Sequence, residues 1–136
     1  MIYEFEIPGQ IIGKARPRMN TRTGQAYTPS KTKNYEFTAK QWFAIKYPRF
    51  ETLEGRIKVT IIAYFGIPKS TSKKKEAEML KQNISPTKKP DIDNITKIIL
   101  DSMNKMAFKD DTQVTELVVE KRYSKEEKMY IKIEEY

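Results

Sequence analysis

The sequence predicts a single α+β domain, a mixed β-sheet of about four strands with helices packed on one face. Three observations support this prediction. The chain has 136 residues, a length typical of a single domain. Apolar residues alternate with polar ones in several segments and recur at helical spacing in others. These segments follow the order strand, helix, strand, short helix, helix, strand, strand, which is typical of α+β domains.

The alternating segments give the expected strands. Residues 2–7 form the first, and residues 56–67 form the longest. The second half of the long segment is apolar on both sides, so we expect it to be a central strand. Residues 114–123 and 128–135 form the last two strands. The polar residues 124–127 between them are interpreted as a hairpin turn.

Helical spacing predicts a long helix over residues 30–46, with Ser30 or Thr32 as its N-cap. Trp42 lies on the apolar stripe of this helix, and we expect it in the core rather than stacked on a base. Ser72 is expected to cap a second, short helix.

Composition limits the possible functions. The chain carries 26 Lys and Arg against 18 Asp and Glu, a net charge of +8, which favours a polyanionic partner such as nucleic acid. It contains no Cys and no His, which excludes disulfides, thiolate zinc sites and catalysis by histidine. An enzyme of this composition has carboxylates, Lys, Tyr and a bound metal available. No apolar run reaches the roughly 18 residues of a membrane span, and the N-terminus does not resemble a signal peptide, so we expect a cytoplasmic protein.

Acidic residues flank the third predicted helix. Asp91 and Asp93 lie two residues apart just before it, and side chains at that spacing point the same way in an extended segment. Asp93 or Asn94 is the expected N-cap. The pair Asp110 and Asp111 follows the helix, and the chain could return either residue to the same place. Convergent carboxylates suit Mg²⁺ or Mn²⁺, although such a run can also be only a cap and a solvated turn.

The helix between the two acidic pairs has a predicted buried stripe of Ile95, Ile98, Ile99 and Met103. Lys97 and Asp101 share another face. Lys97 could stabilise charge on a phosphate, or it could form only an i, i+4 ion pair with Asp101.

Basic side chains concentrate in two segments. The cations of the first segment are Lys14, Arg16, Arg18 and Arg22. Arginine forks bind phosphate well, which favours a phosphate-binding loop over a merely solvated one. The second segment, residues 69–89, has seven lysines and is expected to be a mobile insertion. It is either a solvated hairpin or an arm that tracks DNA beside Asp91.

Residues 89–97 together with residues 110–114 resemble the signature of the RusA family of Holliday junction resolvases. Residues 13–18 and 27–31 are also similar to that family. The combined motif is specific, whereas each part alone is weak.

The resemblance implies a homodimeric, Mg²⁺-dependent endodeoxyribonuclease that cuts four-way DNA junctions symmetrically during recombination and repair. Asp91, Asp93 and Asp111 would be the catalytic, metal-binding carboxylates, Lys97 the catalytic lysine, and Asp110 and Asn94 supporting residues. The residues implied to contact DNA are Lys14, Arg16, Arg18, Arg22, Lys88 and Lys89. Two alternatives stay open: a metal nuclease for other branched or flapped DNA, and a non-catalytic basic DNA-binding module.

Overall fold

The computed structural model describes all residues from Met1 to Tyr136. Its strands are β1 (Ile2–Pro8), β2 (Arg18–Met19), β3 (Ala26–Tyr27), β4 (Ile57–Gly66), β5 (Val114–Ser124) and β6 (Lys128–Glu135). Its helices are α1 (Ser30–Lys46), α2 (Lys73–Leu80) and α3 (Ile92–Met103), and a short 3₁₀ turn spans Asp111–Gln113. The prediction of one α+β domain with a mixed four-stranded sheet is confirmed.

The sheet has the order β1-β6-β4-β5, with β4 in a central position as predicted. β4 pairs with β6 antiparallel and with β5 parallel. The expected hairpin between the last two strands is wrong, because β4 lies between β5 and β6. The crossover through α2 and α3 returns the chain to the starting end of β4, so β5 must run parallel to it. The link of residues 125–127 then carries the chain past β4 to its other side.

The core lies between the sheet and helices α1 and α3. α3 buries the predicted stripe of Ile95, Ile98, Ile99 and Met103. α1 buries Tyr35, Ala39 and Phe43, a row at i, i+4 spacing. Trp42 precedes the last member of this row and is therefore rotated by about 100° around the helix. It is 40% exposed, so its prediction as a core residue is wrong.

The cap of α1 also differs from its prediction. Pro29 occupies the N-cap position and has no side-chain donor or acceptor to offer. Ser30 and Thr32 already lie inside the helix. The Thr32 hydroxyl instead accepts a hydrogen bond from the backbone N–H of Ala15, at 3.2 Å, and so ties the basic loop to α1.

The basic segment of residues 69–89 contains α2, capped as predicted by Ser72, whose hydroxyl accepts from the Lys75 backbone N–H at 3.3 Å. α2 contacts β5, and its Met79 is buried. The segment is therefore anchored to the sheet. A small hairpin of β2 and β3 lies where the sequence predicted only a loop. None of the helices has the length and apolar character needed to cross a bilayer.

Candidate functional site

The acidic pair lies at the first turn of α3. Asp91 is the N-cap residue and has an extended backbone, with φ −75° and ψ 162°. The helix begins at Ile92, so the prediction of Asp93 or Asn94 as N-cap is wrong. Pro90 favours an extended conformation before it and leaves Asp91 as the first residue from which a helix can start. Asp93 is therefore a first-turn residue, where the helix dipole favours negative charge.

The Asp91 carboxylate is exposed and held by its neighbours. Its Oδ1 accepts a hydrogen bond from the Asn94 side-chain amide at 3.0 Å. The pKa of Asp91 is lowered from its ordinary value of 3.8, first by its own backbone N–H and then by the Asn94 amide. The nearby Asp93 carboxyl and the charge of Lys89 contribute further to this lowering. Asp91 is thus fixed as a carboxylate, and Asn94 serves to orient it.

A small cleft of about 230 Å³ opens beside this carboxylate. It is lined by Gly13, Lys14, Lys89, Pro90, Asp91 and Asn94, without a hydrophobic side chain. The backbone N–H of Lys14 donates to the Asn94 carbonyl at 2.9 Å, which joins the N-terminal basic loop to the first turn of α3. A Cβ atom on Gly13 would lie 2.6 Å from the Cβ of Pro90, so only glycine permits this approach.

Lys14 does not extend into solvent as a phosphate ligand would. Its ammonium lies 3.1 Å from the carboxylates of both Glu36 and Asp101, and only 20% of its side chain is exposed. Burial acts to lower the pKa of Lys14, but hydrogen bonds to Asp101 and Glu36 outweigh it and raise the pKa. These contacts hold Lys14 between α1 and α3, and its contact with DNA stays a prediction.

Lys97 forms the predicted ion pair with Asp101, at 3.3 Å. Its side chain is 62% exposed, whereas that of Asp101 is 22% exposed. Asp101 thus connects the ammonium groups of Lys14 and Lys97. An exposed i, i+4 pair contributes only about 0.3–0.5 kcal/mol, so Lys97 can leave Asp101 for another anion at little cost.

The remaining predicted DNA contacts lie on exposed chain. Arg16, Arg18 and Arg22 are exposed on the loop and on the β2–β3 hairpin. Lys88 and Lys89 are exposed directly before Asp91. The whole stretch of residues 16–27 is exposed, which gives the hairpin the character of a basic arm.

Asp110 and Asp111 lie at the opposite end of the sheet from Asp91. Asp111 stands three residues before Val114, which pairs with Ile57 at the start of β4. Lys88, by contrast, lies over the ring of Phe65 near the end of β4. Eight residues of strand separate Ile57 from Phe65, or roughly 26 Å at 3.3 Å per residue.

Local hydrogen bonds hold Asp110 and its neighbours at the end of the sheet opposite Asp91. Its carboxylate accepts from the Thr112 hydroxyl at 2.7 Å, and this bond is the first cause that lowers its pKa. Gln113 donates to the carbonyls of Leu53 and Gly55 at 3.0 and 2.9 Å. Within one copy of the chain, therefore, no group of three acidic side chains lies close enough together to hold a metal ion.

A larger cavity, about 860 Å³, lies away from Asp91. It is lined in part by Tyr3, Tyr47 and Phe50, whose rings pack edge to face or tilted. Its wall includes Glu54, the ion-pair partner of Lys109. The sequence did not single out this cavity, because its aromatic residues come from β1 and from the segment that follows α1.

The donor set at Asp91 fits a hard divalent cation in part. The carboxylates of Asp91 and Asp93 lie close together, and Asp91, which is held ionised, lines a polar cleft. Mg²⁺ commonly takes one or two carboxylates together with water and substrate phosphate. Sequence reasoning missed two contributors to this arrangement. They are Gly13, which lets the basic loop approach, and Glu36, which holds Lys14.

The family model described as Endodeoxyribonuclease RusA matches residues 8–134. A curated relative, the uncharacterized protein YqaN of Bacillus subtilis (strain 168), is 35% identical over 137 residues, which is 97% of this chain and 95% of that protein. The matched residues include both acidic pairs, the Gly13 loop, all of β4 and β5, and β6 up to Glu134, but only the last residue of β1. The chain belongs to the RusA family of endodeoxyribonucleases.

Proposed function

We propose that this chain is a Mg²⁺-dependent endodeoxyribonuclease, with Mn²⁺ as a possible substitute, that resolves four-way DNA junctions by paired symmetric cuts. It would be a cytoplasmic homodimer that acts in DNA recombination and repair. The observation that carries the proposal is the pair of neighbouring carboxylates Asp91 and Asp93, the first of which lines a polar cleft, in a RusA family member.

The carboxylates of Asp91 and Asp93 would hold the cation. Asp111 lies at the other end of β5 in the same copy, so it would be a further ligand only from the partner of the homodimer. A divalent cation there would neutralise phosphate charge and make a bound water more acidic. Asn94 keeps Asp91 oriented through its 3.0 Å hydrogen bond. Because Asp91 stays ionised well below neutral pH, it is always available as a hard anionic ligand.

Lys97 is the residue best placed to meet the phosphate. It lies one helical turn beyond Asp93 on the same face of α3, and its ammonium is tethered only by the exposed pair with Asp101. Released from that pair, it would stabilise charge that builds up on the phosphate or on the leaving oxygen. Asp101 would remain neutralised by Lys14, so the exchange leaves no buried carboxylate unpaired.

The exposed cations Arg16, Arg18, Arg22, Lys88 and Lys89 would hold the DNA backbone around the site. Contacts of this kind fix register and supply affinity, and they carry no sequence information themselves. The net charge of +8 agrees with such a role.

The test is cleavage of a synthetic four-way junction, with linear duplex and flapped DNA as controls, in Mg²⁺ and in EDTA. We expect paired symmetric nicks on the junction alone, lost in EDTA and in the variant Asp93→Asn. That variant should still bind DNA, because removing a carboxylate reduces repulsion towards phosphate. Equal cutting of flaps would indicate a broader nuclease. Binding without cutting in any divalent metal would leave only a basic DNA-binding module.

A further inference from the structure

Four lysines at the start of the basic segment 69–89 form an exposed group, which we call the α2 lysine cluster. Its members are Lys69, in the turn that follows β4, and Lys73, Lys74 and Lys75, in the first turn of α2. All four are exposed, and none takes part in an ion pair. Of the two glutamates on α2, Glu78 accepts a hydrogen bond from the Asn83 side-chain amide at 2.7 Å. The cluster therefore keeps its positive charge free for another molecule.

Positive charge in this place is unfavourable within the chain itself. The first turn of a helix carries the positive end of the helix dipole, and successive lysines also repel one another. The cap does not require them, because the Ser72 hydroxyl alone accepts the hydrogen bond from the Lys75 backbone N–H. An anion bound from outside would relieve this repulsion.

The face of the sheet opposite the core has its cations neutralised instead. Each is paired with a carboxylate on the same strand or on another strand of the sheet, and the pairs are Lys58–Glu116, Arg122–Glu120, Lys128–Glu6 and Lys132–Glu134. The Tyr130 hydroxyl on this face donates to Glu4 at 2.6 Å. The net charge of +8 is thus not spread evenly, and a polyanion meets free cations on α2 rather than across this face.

Contacts with the sheet hold α2 in a fixed position. Its Met79 is buried, and the helix contacts β5. Directly after the helix, the Gln82 side chain donates to the Tyr123 carbonyl at 3.4 Å. Farther along, the Lys121 ammonium donates to the Lys88 carbonyl. The lysine cluster is therefore carried by an anchored helix and keeps its place relative to α3.

The cluster lies at a limited distance from the acidic site. Gln82 and Ile92 line the same cleft, so the end of α2 lies close to Asp91, the neighbour of Ile92. α2 has 8 residues and rises about 12 Å. The cluster is thus at most about 12 Å farther from Asp91 than the end of the helix is, which is well within the roughly 34 Å of one turn of B-DNA.

We infer that the α2 lysine cluster binds phosphates of one duplex arm of the junction, within the first turn of DNA outside the crossover. The inference rests on the proposed function, which places the phosphate to be cut at Asp91. Lys88 and Lys89 would hold phosphates next to that position, and the cluster would hold the same duplex several base pairs away. Contacts of this kind fix the direction of the duplex and carry no sequence information.

The first test measures the binding of junctions whose duplex arms differ in length, in EDTA so that no cutting is needed. The arms have about 5 or about 15 base pairs, on either side of one DNA turn, and are closed by uncharged polyethylene glycol linkers. The variant combines Lys73→Gln, Lys74→Gln and Lys75→Gln. We expect its affinity for the long-armed junction to fall roughly 10- to 100-fold at about 0.1 M salt, with a salt slope lower by about 2–3. Its affinity for the short-armed junction should stay within about twofold of the wild-type value.

A matched control removes the same charge from α1, which packs on β1 and α3. It combines Lys33→Gln, Lys40→Gln and Lys46→Gln, which are also exposed. We expect this variant to bind both junctions with nearly the wild-type affinity. An equal loss for the two arm lengths, an equal loss in the control, or no loss in the α2 variant would each overturn the inference.

The second test maps the contact on the unchanged protein. The reactivity of each lysine towards acetylation is read by mass spectrometry in the free protein and in both complexes. The long-armed junction should protect the α2 lysine cluster, whereas the short-armed junction should leave it as reactive as in the free protein. A cluster that stays reactive in both complexes would overturn the inference. A protein that shows this protection but cuts no junction in any divalent metal would contradict the proposed function and support the arm contact.

Discussion

Gly13 lies directly against Pro90, so that a Cβ atom built on Gly13 would come within 2.6 Å of the Cβ of the proline ring. The same added atom would lie 3.1 Å from the Cβ of Asn94. The N-terminal basic loop is therefore packed onto the residues that precede and orient Asp91. A displacement of either segment moves the other.

We expect Gly13→Ala to separate the basic loop from the first turn of α3, because neither a proline ring nor a helical Cβ can move aside. Junction cleavage should fall by about 10- to 100-fold, the usual effect of a small misplacement of catalytic groups. Cleavage rates and Mn²⁺ affinity would be measured beside thermal stability. Gly66→Ala is the matched control, since a Cβ there would meet nothing closer than a Glu127 carboxylate oxygen at 3.3 Å. Unchanged cleavage in Gly13→Ala would show that the contact is dispensable.

Lys14 and Lys97 share Asp101, but their substitutions should affect different properties, namely folding stability for Lys14 and DNA cleavage for Lys97. Lys14→Met removes a largely buried ammonium from Glu36 and Asp101, so we expect a loss of about 1–2 kcal/mol in unfolding free energy. Lys97→Met breaks only an exposed pair and should cost less than about 0.5 kcal/mol while it abolishes cutting. Denaturant unfolding and junction cleavage of both variants test this. Equal destabilisation by the two variants would contradict it.

Local patterns allowed much of the fold to be predicted. Alternation identified β1, β4 and β6, and helical spacing identified the buried stripe of α3. Pairing could not be predicted in the same way. Four polar residues between two strands favour a hairpin, yet the crossover through α2 and α3 decides the neighbours of β5. The pairing of β5 therefore depends on segments that are distant from it in the sequence.

The candidate site was predictable to the same extent. The Asp91–Asp93 pair and Asn94 could be located from the motif, because those residues are adjacent in the chain. The position of Asp111 could not, because it depends on the direction of β5. Lys14 was expected to contact DNA, and its ion pairs could not be predicted because its partners Glu36 and Asp101 belong to two different helices.

Trp42 and Phe43 provide a direct test of the packing of α1. Phe43 is 1% exposed and packs against the rings of Phe5 and Phe50, so Phe43→Ala should cost about 3–5 kcal/mol. Trp42→Ala removes a larger but half-exposed side chain and should cost less than about 1 kcal/mol. Denaturant titrations at matched conditions compare the two. A larger loss for Trp42→Ala would mean that this surface is covered in solution.

The low pKa of Asp91 predicts how metal binding depends on pH. A carboxyl whose pKa lies below its ordinary value of 3.8 keeps its charge as the pH falls, and the stability or affinity it contributes is lost only in stronger acid. Mn²⁺ affinity should therefore change little between about pH 7 and about pH 5. Asn94→Ala removes a donor to the charged form, so the pKa of Asp91 should rise and the affinity should begin to fall at higher pH. Carboxyl NMR titration of the metal-free protein measures the pKa, and Mn²⁺ binding titrations at several pH values measure the affinity. Thr96→Ala, which loses only a hydrogen bond to the Ile92 carbonyl, is the control.

The β2–β3 hairpin should act as an electrostatic arm, because Arg18 and Arg22 are exposed on it. Each arginine that neutralises a phosphate contributes about 0.9 to the slope of log affinity against log salt concentration. Arg18→Ala and Arg22→Ala should each weaken junction binding and lower this slope by about 1, equally for all DNA sequences. Arg56→Ala is the matched control, since the Arg56 guanidinium donates to the Tyr136 carbonyl at 2.9 Å and lies over the Tyr136 ring. Binding titrations at several salt concentrations give the slopes. Slopes that stay at the wild-type value in both hairpin variants would remove the hairpin from the DNA interface.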